Sequence, residues 1–107
     1  MVYLYDTGGR HIANEHGGYL FLINGELAGR YMEKNGVFAS LNGHYLGEII
    51  CMNRLLFNRN SRYLTTNFGE CPQRGSIGAF QSPKVHSPII PPPGLEDISS
   101  NYLTAAS

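Results

Sequence analysis

The sequence predicts an all-β fold: four β-hairpins in succession, followed by a proline-rich, mostly irregular tail. Three observations predict it. Turn-forming dipeptides, Gly8-Gly9, Asn24-Gly25, Asn42-Gly43 and Asn60-Ser61, recur at intervals of 16, 18 and 18 residues. An apolar pair precedes each turn and another pair follows it. All six prolines lie beyond Thr66. A unit repeated at near-constant spacing is one supersecondary element used several times.

The first unit runs YLYDTGGRHIA from Tyr3, the second YLFLINGELAG from Tyr19, the third VFASLNGHYLG from Val37 and the fourth LLFNRNSRYLT from Leu55. Asn-Gly between apolar runs is a strong hairpin signal, because Asn and Gly tolerate the positive φ that a two-residue turn demands. Asn60-Ser61 lacks the glycine and makes the fourth hairpin the least secure. With two-residue turns, Tyr5 faces Ile12, Phe21 faces Ala28, Ala39 faces Leu46 and Phe57 faces Leu64. One step outward, Leu4 opposes Ala13, Leu20 opposes Gly29, Phe38 opposes Gly47 and Leu56 opposes Thr65, on the other face of the sheet. Gly29 and Gly47 would admit a backbone or an aromatic ring at close range. The segment from Glu48 to Leu56 bridges the third and fourth hairpins in extended form.

Residues 1–68 therefore form the hairpin domain and residues 69–107 the tail. Pro91-Pro92-Pro93 favours polyproline II, yet Phe80, Val85, Ile89, Ile90, Leu95, Ile98, Tyr102 and Leu103 are scattered through the same stretch. That apolar content favours partial docking of the tail on the domain, or on a neighbouring subunit, over free disorder.

With 8 basic and 8 acidic residues the chain has no net charge, so no whole-molecule field draws in nucleic acid or an anionic membrane. Charged residues make up only 15% of the chain, while Gly numbers 13 and Tyr 7, a composition suited to short strands and tight turns. Cys51 and Cys71 match no zinc spacing, and Cys51 after Ile49-Ile50 reads as a small buried hydrophobe. The N-terminus lacks the pattern of a signal peptide and no apolar run is long enough to span a membrane, so the expected location is cytoplasmic.

The four stretches LYDTGGRHIA, LFLINGELAGRY, FASLNGHYLGEI and LFNRNSRYL together resemble the 4-fold β-flower proteins, over roughly residues 2–67. That resemblance implies hairpins arranged with pseudo-fourfold symmetry about an axis, as a shallow barrel-like sheet. It carries no established biochemical activity with it. An analogy with tubby-type lipid-binding domains is one that fold alone suggests.

Chemistry-bearing motifs are few. His11, His16, His44 and His86 show no metal-ligand spacing, no phosphate-binding loop occurs, and nothing calls for a cofactor. Asp6, just ahead of the first turn, is placed to accept backbone N–H groups there. Arg54, Arg59 and Arg62, interleaved with Phe57 and Tyr63, form the one stretch with a nucleic-acid or head-group pattern, against a solvated hairpin tip as the simpler reading. Two residues past each turn lie His11, Leu27, Tyr45 and Tyr63. Under a fourfold arrangement these form a ring about the axis, lining a small-ligand pocket or plugging the core.

The expected function is a non-enzymatic binding or scaffolding module for a protein or small ligand, self-associating through hairpin edges or its tail. Two alternatives stand beside it: a lipid or membrane-surface binder of tubby-like type, and a metal-dependent enzyme with a site near the axis, built from His11, His44 or a carboxylate.

Overall fold

The computed structural model describes residues 2–71 and 86–98. Pro72, Pro83, Phe80, Val85, Tyr102 and Leu103 lie outside the described residues. The chain forms strands β1 (Val2–Tyr5), β2 (His11–His16), β3 (Tyr19–Leu22), β4 (Leu27–Met32), β5 (Val37–Ser40), β6 (Tyr45–Ile50), β7 (Arg54–Asn58) and β8 (Leu95–Asp97). Each strand pairs with the next, antiparallel throughout, and β1 pairs with β7 at Tyr5 and Arg54 to close a seven-stranded barrel. The closing pair is parallel, as it must be: an up-and-down meander with an odd number of strands brings its first and last strands together in the same direction. β8 is an additional strand on β7.

The outer registers are as the sequence predicts, with Leu4 opposite Ala13, Leu20 opposite Gly29 and Phe38 opposite Gly47. The inner ones are not. Tyr5 pairs with His11 rather than Ile12, Phe21 with Leu27 rather than Ala28, and Ala39 with Tyr45 rather than Leu46. The cause is the turn. Each loop has three residues, closed by hydrogen bonds from Gly9 N to Asp6 O, Gly25 N to Leu22 O and Gly43 N to Ser40 O. Only the glycine takes positive φ, at 86°, 90° and 89°; Asn24 and Asn42 do not. This is a type I turn followed by a left-handed glycine. The extra loop residue shifts the inner pair by one, and a bulge immediately afterwards restores the outer register. The bulged residues turn inward: Ala28 and Leu46 are in the core and Ile12 packs against it.

That core draws on every strand of the barrel, with Leu4, Ala13, Leu20, Ala28, Phe38, Leu46 and Leu55, and it is joined by Ile98 from the end of β8. Close approach at Gly29 and Gly47 is real. A Cβ on Gly29 would lie 2.2 Å from Ala39 O, and one on Gly47 would lie 2.7 Å from Ile98 Cδ1. A second apolar cluster, Phe21, Leu27, Leu41 and Cys71, holds the segment after β7 against the second and third hairpins. Cys71 N donates to Leu41 O at 2.9 Å, and Arg30 Nη2 donates to Phe68 O at 2.7 Å.

The fourth unit departs from the other three. Ser61 N donates to Asn58 O at 3.2 Å, so the turn begins. Ser61 stands where the others have glycine, and among the described non-glycine residues only Cys51 and Met52 have positive φ. The chain therefore leaves the sheet instead of returning along it. Leu64 is 44% exposed rather than facing Phe57. The partner strand comes from the tail: Leu56 pairs with Asp97, Phe57 with Glu96 and Asn58 with Leu95. A type II turn delivers it, with Pro93 and Gly94 (φ 84°) at the corners and Leu95 N donating to Pro92 O at 3.1 Å.

Cys51 is exposed and Cys71 buried, the reverse of the expectation for Cys51. Cys51 (φ 51°) and Met52 (φ 75°) occupy the β6–β7 turn in a conformation that L side chains adopt at a cost of about 1–2 kcal/mol each. Replacing Cys51-Met52 with Asn-Gly relieves it. The expected gain is about 1 kcal/mol after the entropic cost of glycine, read as a rise of about 4–8 °C in thermal midpoint. No helix among the described residues is long and apolar enough to cross a membrane.

Candidate functional site

A cleft of about 620 Å³ opens between the tips of the first two hairpins and the end of β8. The first turn contributes Asp6, Arg10, His11 and Ile12; the second contributes Leu22, Ile23 and Asn24; β8 and its exit contribute Asp97 and Ile98. The bulge at Ile12 and the three-residue loop at Ile23-Asn24-Gly25 turn these side chains toward the gap.

Two carboxylates stand at its rim, both held by the first hairpin turn. Asp6 Oδ1 accepts Arg10 N at 2.9 Å, as the sequence led one to expect, and Oδ2 lies 3.4 Å from Arg10 Nε. Asp97 accepts from Thr7 twice, from its N at 2.8 Å and its Oγ1 at 2.7 Å, which ties β8 to the first turn. The Arg10 side chain is 81% exposed, so its pairing with Asp6 is heavily screened.

His11 forms the buried wall. Its ring lies edge-on to Tyr3 at 5.4 Å and against Tyr5 at 5.9 Å, and Tyr5 in turn makes a tilted ring contact with His86 at 4.2 Å. His11 Nε2 and Asn14 Oδ1 are 2.7 Å apart, which puts the ring proton on Nε2 with the amide in this orientation. His11 Nδ1 and Asn14 Nδ2 are buried without a hydrogen-bond partner among the described residues.

Of the four residues read from the sequence as an axial ring, only His11 reaches the cleft. Leu27 belongs to the second apolar cluster, Tyr45 lies against Phe57 at 5.3 Å, and Tyr63 lies against Phe68 at 5.8 Å. The bulge turns Ala28 and Leu46 into the core and packs Ile12 against it, leaving His11, Leu27 and Tyr45 on the other face, and of these three His11 alone lies beside the cleft. Tyr63 never joins the sheet. His44 is exposed, its turn bridging to Asn67, in surroundings separate from those of His11. Among the described residues no group of three or more His, Cys, Asp or Glu side chains is placed to hold a metal ion.

The arginine stretch does not form a basic face. Arg54 is buried, donating to Asp6 O at 2.9 Å and Ser87 O at 2.7 Å, and Arg59 lies 3.9 Å from Glu96.

Tyr45 has a different role. Its hydroxyl accepts Asn58 N at 3.1 Å and faces Glu48 Oε2 at 3.4 Å. Burial raises its pKa above the ordinary 10.0, opposed by the Asn58 N–H and assisted by the Glu48 charge. The folded state therefore holds this proton more tightly than the unfolded state does. Its contribution is fully present below about pH 10 and is lost as pH rises through the folded pKa. Denaturant midpoints measured across that range are expected to fall, and Tyr45→Phe to flatten the fall while losing about 1 kcal/mol from the unpaired Asn58 N–H.

Comparison with family models, with curated proteins and with solved structures found no match to this chain.

Proposed function

We propose that the protein is a non-enzymatic small-ligand binding module whose site is the cleft beside the first hairpin. One observation carries this reading: an opening of about 620 Å³, within the range of ligand pockets, has apolar walls and polar groups at fixed positions. Ile12, Leu22, Ile23 and Ile98 offer contact to an apolar body. Asp6, Arg10 and Asp97 orient a polar head. Because both carboxylates already accept hydrogen bonds from the first hairpin turn, Asp6 from Arg10 and Asp97 from Thr7, they are pre-positioned and no ordering is needed on binding.

We also infer a fold of the 4-fold β-flower kind, with β7–β8 as the fourth petal. The shared loop length, left-handed glycine and bulge of the first three hairpins support it. The fourth petal then takes its second strand from the tail.

A fragment library screened by amide chemical shifts tests the site. Hits are expected to shift Arg10, Ile23, Asn24 and Ile98 together. Ile23 is 45% exposed, so Ile23→Arg is expected to block the cleft and change stability by no more than about 0.5 kcal/mol. Fragments that bind the variant as well as the parent would refute the assignment.

A further inference from the structure

We propose that the proline segment preceding β8 is a docking arm for a partner protein with an aromatic-lined groove that reads polyproline II. The sequence is Ser87-Pro88-Ile89-Ile90-Pro91-Pro92-Pro93. Proline fixes φ near the polyproline value, and a residue that precedes proline is driven away from the helical region. Ser87, Ile90, Pro91 and Pro92 all precede proline, so the backbone has little freedom to be anything but extended.

The barrel holds this arm in place along one side. His86 N donates to Gly9 O at 2.9 Å, Ile89 N donates to Thr7 O at 2.8 Å, and Ser87 O accepts from the buried Arg54. At the far end Pro92 O accepts Leu95 N. A polyproline II helix has three residues per turn, so residues i and i+3 share an edge. Ile89, whose N–H is tied to the barrel, is half-buried, and so is Pro91. Of the other two edges, one carries Pro88 and Pro91 and the other Ile90 and Pro93. Pro88 and Pro93 are exposed and Ile90 is 93% exposed.

The tethers and the Pro93–Gly94 turn account for the course of the chain into β8. They do not account for Ile90, an aliphatic side chain standing in solvent between prolines. Grooves of aromatic side chains bind such a ridge, taking Pro-x-x-Pro along one edge and the intervening aliphatic residue along the next. An arm already ordered on the barrel binds without the entropic cost that a free peptide incurs. The arm and the cleft use different residues, so this inference stands apart from the ligand reading.

The chain contains no tryptophan, so the groove tryptophan of a partner can be watched without background. The full-length protein is titrated into purified SH3, WW and EVH1 domains while their tryptophan emission is followed. A saturable change with at least one domain is expected, and Ile90→Asp and Pro91→Ala are expected to weaken it about tenfold or more. Thermal midpoints of both variants serve as the check on folding, and Ile90→Asp, at a solvated position, is expected to match the parent. Ile23→Arg, in the cleft, is expected to bind like the parent. No response from any of the three domains, or equal binding by a folded Ile90→Asp variant, overturns the proposal.

Discussion

Phe38→Ala is expected to destabilise the protein by about 3–5 kcal/mol, roughly a fifth or more of the ~5–15 kcal/mol that holds a domain of this size together. Phe38 is fully buried and sits opposite Tyr31 on one side and Gly47 on the other. Its neighbours in the core include Ala13 and Ala28, and a Cβ on Gly29 or Gly47 would meet backbone oxygen within 2.8 Å. Phe38 is the one aromatic ring among the buried residues of that cluster, packed with Leu4, Leu20, Leu46, Leu55 and Ile98, and those close-packed neighbours collapse only partly into the space that alanine would leave. A fall of about 15–30 °C in thermal midpoint is the expected reading. Ile90→Ala provides the contrast. It also removes a large apolar side chain, but from a position 93% exposed, and is expected to change stability by less than about 0.5 kcal/mol. Equal losses from the two variants would mean that Phe38 is not at the centre of the core.

The strands and the outer registers were legible because they rest on glycine chemistry and on a two-residue period, both local. Leu4–Ala13, Leu20–Gly29 and Phe38–Gly47 follow from counting outward from the turn. The inner registers were not legible, because Asn24-Gly25 serves two turns equally well. In a two-residue loop both residues take positive φ; in the three-residue loop observed, only the glycine does. The bulge that follows each turn cancels the difference at Leu4, Leu20 and Phe38, so the outer pairs agree for a reason the count did not contain. This same bulge decided the fate of the expected ring. It turned Ile12, Ala28 and Leu46 toward the core and left His11, Leu27 and Tyr45 on the other face, where only His11 meets the cleft. Ser61, lacking the hydrogen-only side chain that its position needs, was a visible warning about the fourth hairpin. Nothing local could show that Leu95-Glu96-Asp97 would supply the missing strand. Three residues with one apolar side chain carry no period, and their partner Leu56 lies far away in sequence. Asp97 and Ile98, two of the nine residues that line the cleft, were hidden for that reason.

A chain ending at Cys71 is expected to lose about 4 kcal/mol or more and to self-associate. Cutting there keeps all seven strands of the barrel and the Cys71–Leu41 hydrogen bond, so the outcome isolates what the tail contributes. Three losses coincide. Ile98 leaves the core beside Gly47, opening a void of the kind that costs about 2–5 kcal/mol for an aliphatic side chain. Arg54, 5% exposed, loses the Ser87 carbonyl and keeps its charge, and a buried donor left without its acceptor costs about 1–3 kcal/mol. The Leu56–Asn58 edge of β7 then faces solvent with its ladder groups unpaired, and an open apolar edge is a template for another chain. Light scattering coupled to size exclusion reads the last effect directly, with the full chain as reference. A higher mass for the shortened chain means that β8 caps an edge the barrel cannot leave open. A shortened chain that remains in the oligomeric state of the full chain, with an unchanged thermal midpoint, would place the whole of the stability in the first seven strands. β8 would then serve only to bring Asp97 and Ile98 to the cleft.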